Sequence, residues 1–104
     1  MARLTWTEPV LRELEAIADY IALESPEAAR RTVRTIFDRA QQLEQFPESG
    51  REPPELPGSR YRELIIGMFR MFYRVDSTGS ERIVYVVHLM RSERGFPGGW
   101  DVGG

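Results

Sequence analysis

Three consecutive β-prone runs between residues 60 and 91 constrain the fold of this chain more than any other feature. The stretch reads RYRELIIGMFRMFYRVDSTGSERIVYVVHLMR, and its β-branched and aromatic residues stand in short runs separated by turn residues. We predict strands over residues 61–66, 69–75 and 83–89. The turns between them, at Gly67 and at residues 76–80, are short, so consecutive strands pair as hairpins and an antiparallel sheet is expected.

The second run predicts a strand with one apolar face and one arginine-bearing face, because successive strand side chains point to opposite sides. Phe69, Met71, Tyr73 and Val75 have one parity, and Arg70, Phe72 and Arg74 have the other. The third run is apolar at nearly every position until His88. Such a run is typical of a strand covered on both faces, so we expect it to be central in the sheet.

Apolar residues at helical spacing predict two helices ahead of these strands. Residues 4–6 form a short β-prone run, an edge or central strand, and Thr7 is a candidate N-cap for the first helix. The apolar stripe of that helix is Val10, Leu14, Ile17 and Ile21, with Glu13 on the opposite side. Ser25-Pro26 ends it and starts a second helix to about Gln45. The second stripe is Ala29, Val33, Ile36, Phe37, Ala40 and Leu43. The predicted fold is therefore α+β, a helix hairpin packed on a small twisted antiparallel sheet in the order β-α-α-β-β-β.

The composition limits the available chemistry. The chain has 104 residues, enough for one domain with a self-supporting core. It has no cysteine and one histidine, which excludes disulfides and thiol nucleophiles and argues against a metal cluster, so we expect no metal and no other cofactor. All fourteen basic residues are arginine, which excludes a lysine as general acid or base.

The carboxy-terminal end differs in composition from the rest. Residues 92–104 read SERGFPGGWDVGG and hold five of the nine glycines. We therefore expect a single domain over residues 1–94 and a flexible glycine-rich tail over residues 95–104. The amino terminus lacks a basic region followed by a long apolar run, and no apolar run is long enough to span a bilayer, so we expect a cytoplasmic protein without membrane contact.

The candidate functional residues are arginines and one histidine near the ends of the predicted strands. They are Arg62, Arg70, Arg74, His88, Arg91 and Arg94. Guanidinium groups bind carboxylates and phosphates through paired hydrogen bonds, so this set is a candidate for target contact. The same pattern is typical of a solvated sheet face, and a strand-end histidine is typical of a structural hydrogen bond as well as of an acid or base. Arg30, Arg31 and Arg34 on the second helix are likewise either a partner site or a solvated face.

Several short motifs occur in a fixed order between residues 3 and 94. The helix hairpin ends in Phe46-Pro47 and is followed by Ser49-Gly50-Arg51, Glu55-Leu56-Pro57-Gly58, Arg62-Glu63-Leu64, the run from Phe69 to Val75, and Val87-His88. This ordered set resembles the ParE branch of the RelE/ParE toxin superfamily, whose members are the stable toxins of bacterial type II toxin–antitoxin pairs. The resemblance implies the same α+β fold and a role in plasmid stabilisation.

The resemblance implies two alternative activities. ParE-like members act on DNA gyrase and block replication, whereas the ribonuclease branch cleaves messenger RNA on the ribosome. Ribosome-dependent relatives often use lysines and a terminal tyrosine, and this chain has no lysine and no tyrosine after Tyr85. A second ribonuclease pattern combines a loop glutamate, a strand arginine and a histidine, for which Glu55 (or Glu52), Arg70 and His88 are positional counterparts.

We favour the gyrase activity over the ribonuclease activity. The net charge of −2 weighs against tight binding to ribosomal RNA, because nonspecific nucleic-acid affinity comes mainly from neutralised phosphates. The expected target-binding residues are Arg70, Arg74, His88, Arg91 and Arg94, with no catalytic residue assigned. Arg70 is expected to serve inhibition more than folding, so that alanine there preserves the thermal midpoint. A relative that binds its antitoxin without being toxic is a third alternative.

The resemblance also implies a cognate ParD-like antitoxin as partner, and hence a hetero-oligomer. We expect the carboxy-terminal segment of the antitoxin to cover the outside of the helix hairpin and to lie along an exposed sheet edge. Arg30, Arg31 and Arg34 are expected to meet it there, because antitoxin tails of this kind are acidic and disordered.

Overall fold

Within residues 1–92, two helices and four strands follow one another in the order that the sequence predicts. The computed structural model describes residues 1–92, so Arg94, the predicted domain boundary and the predicted tail lie outside the described residues. The elements are β1 (Arg3–Trp6), α1 (Glu8–Ala22), α2 (Pro26–Gln41), a short 3₁₀ turn (Gln42–Glu44), β2 (Tyr61–Ile66), β3 (Phe69–Thr78) and β4 (Glu81–Arg91). The α+β class and the β-α-α-β-β-β order are confirmed.

The four strands form one sheet in the order β1-β4-β3-β2. β2–β3 and β3–β4 are antiparallel hairpins, and β4 is central, as predicted. β1 pairs with β4 in the parallel direction, with Leu4 opposite Val84. The sheet is therefore mixed rather than wholly antiparallel. A hairpin forces its two strands to run antiparallel, but β1 is separated from the other strands by both helices and is free of that constraint.

β3 and β4 are longer than the sequence predicts. Residues 76–78, predicted as a turn, pair with residues 81–83. The turn is thus reduced to Gly79 and Ser80, and Gly79 has a φ of +61°, a left-handed conformation that glycine adopts at little cost.

A bulge interrupts the pairing of β3 with β4. Phe72 opposes His88 and Tyr73 opposes Val86, which leaves Val87 as the extra residue. The bulge shifts the alternation of faces by one residue, so that Leu89 and Val86 both reach the core although they are three positions apart. It also places His88 directly across from Phe72.

The helix hairpin covers one face of the sheet. The hydroxyl oxygen of Ser25 accepts a hydrogen bond of 3.0 Å from the backbone N–H of Ala28, and this cap together with Pro26 fixes the start of α2. The buried core comprises Val10, Leu14, Ile36, Ala40 and Leu43 from the helical layer and Leu64, Ile66, Phe69, Met71, Tyr73, Val84, Val86 and Leu89 from the sheet. Burial of each large apolar side chain contributes about 1.5–3 kcal/mol, so the predicted stripes are what attach the hairpin to the sheet.

The loop over residues 45–60 is held against β2 and β3. The backbone N–H of Arg51 donates to the carbonyl oxygen of Glu63 at 3.0 Å, and the N–H of Glu63 donates to the carbonyl oxygen of Arg51 at 2.8 Å. Leu56 is buried, which anchors the middle of the loop. Glu55, its neighbour, is thereby brought to the sheet.

None of the helices within residues 1–92 has both the length and the apolar character that crossing a bilayer requires.

Candidate functional site

Arg70 lies at the centre of an ion-pair network on the sheet face opposite the helices. Nε of Arg70 donates to Oε2 of Glu63 at 2.7 Å. Its Nη1 and Nη2 donate to the two carboxylate oxygens of Glu55 at 2.8 and 2.7 Å. Two parallel charge-assisted hydrogen bonds of this kind give both strength and a fixed orientation.

Glu63 connects Arg70 to a second arginine. Its other oxygen accepts a hydrogen bond of 2.7 Å from Nε of Arg51. Charges therefore alternate along the chain Arg51, Glu63, Arg70 and Glu55 and sum to zero. The guanidinium carbon of Arg70 also lies 4.9 Å from the ring centroid of Phe72, a distance at which the ring face attracts a cation. Within the described residues every buried side-chain nitrogen and oxygen has a hydrogen-bond partner.

The network shifts the acidity of two of its members. Hydrogen bonds from Arg70 hold the pKa of Glu55 below its ordinary value of 4.5. Hydrogen bonds from Glu55 in turn raise the pKa of Arg70 above its ordinary value. Glu55 is therefore ionised at neutral pH and is a weak base, whereas an efficient general base has a pKa near the working pH.

The burial of Arg70 corrects one expectation from the sequence. The parity of β3 is right, because Phe69, Met71 and Tyr73 are in the core, but the opposite face is not simply solvated. The Arg70 side chain is 7% exposed and that of Glu63 is fully buried. Removal of Arg70 would leave the buried charge of Glu63 without this partner, so alanine is expected to lower the thermal midpoint. A role for Arg70 in target binding stays a prediction.

His88 is positioned by a glutamate of α1. Its Nδ1 lies 3.1 Å from Oε2 of Glu13, and Oε1 of Glu13 accepts a hydrogen bond of 2.9 Å from the backbone N–H of Leu89. A carboxylate can only accept, so Nδ1 of His88 carries a proton and the ring orientation is fixed. β1 pairs with β4 only as far as Val86, and Glu13 thus caps part of the strand edge beyond that point.

The structure places three of the predicted target-binding residues on one face of the sheet. Phe72 opposes His88 in the β3–β4 ladder, and side chains of cross-strand partners share a face. Arg70 and Arg74 flank Phe72 at the same parity and lie on that face as well. Arg74 is further held by Tyr85, whose ring centroid lies 4.6 Å from its guanidinium carbon, and by Asp76 at 3.4 Å.

Arg91 belongs to the other face of the sheet. It opposes Phe69, a core residue, in the β3–β4 ladder. It lines a groove of about 820 Å³ between the helix hairpin and the β2–β3 turn, together with Tyr20 and Met68. The five predicted target-binding residues therefore do not form a single patch, and Arg94 lies outside the described residues.

Arg62 has the same parity as the core residues of β2. It opposes Tyr73 in the β2–β3 ladder. Its Nη1 donates to the carbonyl oxygen of Gly50 at 2.8 Å. Arg62 thus holds the loop in place, which is a structural contact.

Arg30, Arg31 and Arg34 of α2 are exposed, as predicted. Arg30 and Arg34 line a shallow groove of about 500 Å³ that also contains Val33, Phe37 and one acidic side chain, Asp38. Arg31 is 4.0 Å from Glu27 one turn earlier. A basic rim beside apolar side chains fits an acidic amphipathic segment.

Two glutamates that the sequence did not assign to the site organise it. The sequence could have identified Glu63, because it is a charged residue in the middle of an apolar strand and a buried charge needs a partner. It could not have identified Glu13, since the contact of Glu13 with β4 depends on how α1 packs. Of the two loop glutamates, Glu55 is the one that reaches Arg70, and Glu52 accepts from the backbone N–H of Gly58 at 2.7 Å. Residues 1–92 contain no group of three or more acidic, histidine or cysteine side chains placed to hold a metal ion.

Known families and proteins are similar to most of the chain. A family model described as "ParE toxin of type II toxin-antitoxin system, parDE" matches residues 4–96. "Toxin RelE2" of Caulobacter vibrioides is 34% identical over 91 residues, which cover 88% of this chain and 99% of the relative. "Putative toxin Y4kP" of Sinorhizobium fredii is 30% identical over 95 residues, which cover 91% of this chain and 93% of the relative.

Two solved structures are similar to the fold. One is described as "Chromosomal ParDE TA system from P. aeruginosa" and matches with a TM-score of 0.72 and 29% identity over 89% of this chain and 98% of that chain. The other, described as "YoeB/ParE toxin from Agrobacterium tumefaciens", matches with a TM-score of 0.60 and 24% identity over 86% of this chain and 97% of that chain. The second likeness concerns the fold alone.

Proposed function

The chain belongs to the ParE toxin family of type II toxin–antitoxin systems, and we propose that it inhibits DNA gyrase and so blocks replication. The observation that carries this proposal is the state of Arg70. Both edges of its guanidinium are engaged by the carboxylates of Glu55 and Glu63, so two negative charges stand where a ribonuclease needs to bind a phosphate. The lowered pKa of Glu55 also makes it a poor base for proton abstraction.

The composition supports the same proposal. No lysine is present in the sequence, and lysine is one of the residues that supply acid–base chemistry in ribosome-dependent relatives. The net charge of −2 also gives little general attraction for ribosomal RNA. A protein target is compatible with both features, since protein–protein contacts need neither proton transfer nor phosphate neutralisation.

The proposed partner is a ParD-like antitoxin that forms a hetero-oligomer with the toxin and neutralises it. The similar solved structure from P. aeruginosa is of a ParDE system. The groove rimmed by Arg30 and Arg34 is the proposed site for an acidic, amphipathic antitoxin segment. Gyrase is a cytoplasmic enzyme, so the proposal includes a cytoplasmic location and, for a plasmid-borne copy, plasmid stabilisation.

One observation favours the ribonuclease as a second candidate. His88 shares a sheet face with Arg70, and Glu13 holds its ring in a defined orientation. A histidine with a carboxylate partner is an arrangement that proton-transfer enzymes use. In that case His88 donates or accepts the proton and Arg70 must first be released from Glu55.

Two assays on the same purified toxin decide between the candidates. Gyrase supercoiling is measured over a range of toxin concentrations, and messenger RNA cleavage is measured in a ribosome-containing translation mixture. The proposal expects inhibition of supercoiling that the antitoxin relieves, with messenger RNA left intact. Ribosome-dependent cleavage with unimpaired supercoiling would instead establish the ribonuclease. Absence of both effects, with antitoxin binding retained, would identify a non-toxic relative.

A further inference from the structure

The two carboxylates that hold Arg70 differ in their access to water. Glu63 is fully buried and bonds to Nε of Arg70, whereas the side chain of Glu55 is 43% exposed and bonds to both Nη atoms. Separation of Glu63 from Arg70 would take one of its two arginine partners from a fully buried carboxylate, which is unfavourable. Glu55 needs only a side-chain rotation to place its carboxylate in water. Of the two pairs, the one with Glu55 is therefore the easier to separate.

We propose that Glu55 occupies the position that a carboxylate of an acidic segment of the target takes at Arg70, and that the segment displaces Glu55 when the toxin engages. This inference rests on the proposed function, because it assigns the acidic segment to gyrase. In the free toxin the Nη edge of Arg70 is closed by the chain's own glutamate. In the complex the same edge carries a glutamate or aspartate of the partner.

The charges of the network favour an incoming group with a single negative charge. Arg51, Glu63, Arg70 and Glu55 together are neutral, and when Glu55 turns away a net charge of +1 remains. A single carboxylate restores neutrality, as does a singly charged phosphodiester, whereas a doubly charged phosphate monoester leaves an excess negative charge beside the buried Glu63. The protein target of the proposed function makes the carboxylate the incoming group. The geometry at Nη1 and Nη2 already fits a carboxylate, at 2.8 and 2.7 Å.

The exchange reduces the apparent affinity of the toxin for its target. The incoming carboxylate must compete with Glu55, which is tethered beside Arg70 at a high local concentration. Affinity is therefore lowered by the fraction of molecules in which the Nη edge is open. Glu55→Gln keeps the size of the side chain but removes its charge, so the Nη edge of Arg70 is open in more of the molecules. Potency should therefore rise about fivefold to tenfold.

The first experiment measures the toxin concentration that halves gyrase supercoiling for the wild type, Glu55→Gln and a matched control, Glu48→Gln. Glu48 lies in the same loop and also pairs with an arginine, Arg82, at 2.7 Å, but it is not part of the network. The expected result is a lower half-inhibitory concentration for Glu55→Gln alone, with cooperative thermal unfolding showing that all three proteins are folded. Equal or weaker inhibition by Glu55→Gln, while the wild type inhibits gyrase, would overturn the exchange and leave the proposed function intact.

A second experiment tests the site without gyrase. A fluorescent hexaglutamate peptide is titrated into the wild type, Glu55→Gln and Glu55→Gln/Arg70→Lys at low salt, and binding is followed by anisotropy. We expect Glu55→Gln to bind the peptide several-fold more tightly than the wild type. The double variant should lose that gain, because lysine keeps the charge but lacks the planar fork.

The peptide measurement also separates the possible failures. If the wild type leaves supercoiling untouched, the proposed function fails, and tighter peptide binding by Glu55→Gln still supports the site at Arg70. A gain that survives Arg70→Lys would show nonspecific charge attraction and overturn the inference. Tighter binding of a fluorescent hexauridylate than of the peptide to Glu55→Gln would assign the site to phosphodiesters and overturn the choice of a carboxylate.

Discussion

The hydroxyl oxygen of Tyr73 accepts a hydrogen bond of 2.8 Å from the backbone N–H of Gly50, and this contact ties the loop before β2 to the middle of the sheet. A Cβ atom at residue 50 would lie 2.6 Å from that hydroxyl and 2.7 Å from the carbonyl oxygen of Glu63. Glycine is required here by the close approach of the loop. The same loop delivers Glu55 to Arg70, so the packing of Gly50 supports the candidate site.

Gly50→Ala is therefore expected to lower the free energy of unfolding by about 1–3 kcal/mol, the usual cost of overpacking a close contact. Tyr73→Phe should also cost about 1–3 kcal/mol, because it leaves the buried N–H of Gly50 without its acceptor. Urea unfolding of both variants measures these changes. Stabilities equal to the wild type would mean that the loop is not held at this point.

The buried phenol of Tyr73 should make the protein less stable at high pH. Burial raises the pKa of its phenol above the ordinary value of 10.0. The unfolded chain then ionises Tyr73 at a lower pH than the folded protein does, so stability is fully present below pH 10.0 and declines as the pH rises toward the folded pKa. Thermal midpoints from pH 8 to 11 should therefore fall more steeply for the wild type than for Tyr73→Phe. Parallel curves for the two proteins would contradict this assignment.

The buried pair of Arg70 and Glu63 predicts a strong asymmetry between single and double substitutions. Arg70→Ala should destabilise the protein by about 3–5 kcal/mol, because Glu63 remains as a buried charge. Arg70→Met with Glu63→Leu should recover most of that loss, since an apolar pair of similar size needs no charge compensation. Arg51→Ala is the control, because Arg51 is 58% exposed and its pair with Glu63 contributes less. Denaturant unfolding of the wild type and the three variants measures these changes. Full stability in Arg70→Ala would support the expectation from the sequence that alanine preserves the thermal midpoint.

The fold could be predicted from the sequence because its signals are local. Helical and strand spacing, the Ser25-Pro26 boundary and the glycines at the turns each act within a few residues. The direction of β1 had no local signal, because it depends on where the helix hairpin returns the chain. The partners of Arg70 and His88 had none either, since Glu55, Glu63 and Glu13 reach them from distant parts of the sequence. The arginines were identified as candidates, but their state of charge pairing needed the three-dimensional structure.

The exposed arginines of α2 predict how the antitoxin binds. Arg30→Glu, Arg31→Glu and Arg34→Glu in one protein should weaken antitoxin affinity at low salt by at least tenfold, because an acidic partner would then meet like charges. The matched control reverses Arg3, Arg60 and Arg82, which are outside the helix hairpin and change the net charge by the same amount. Calorimetry at two salt concentrations provides the measurement. An unchanged affinity in the α2 variant would place the antitoxin elsewhere.

His88 separates the two activities most sharply. If gyrase is the target, His88 serves as a hydrogen-bonding residue for Glu13, so His88→Gln should nearly preserve toxicity, while Arg91→Ala with Arg94→Ala should weaken it. If the protein is a ribonuclease, His88 carries a proton, and His88→Gln should reduce cleavage by about two to four orders of magnitude, the usual effect of losing a general acid or base.

Glu13→Gln provides the control for the His88 test. The amide oxygen can still accept a hydrogen bond from Leu89, but the negative charge beside His88 is gone. A structural His88 predicts only a small change in toxicity for this variant, whereas a catalytic His88 predicts a clear loss of cleavage, because the amide has one oxygen where the carboxylate uses two to hold the ring and Leu89. A large loss of RNA cleavage in His88→Gln, together with unimpaired supercoiling by gyrase in the presence of the wild-type toxin, would replace the proposed function with the ribonuclease.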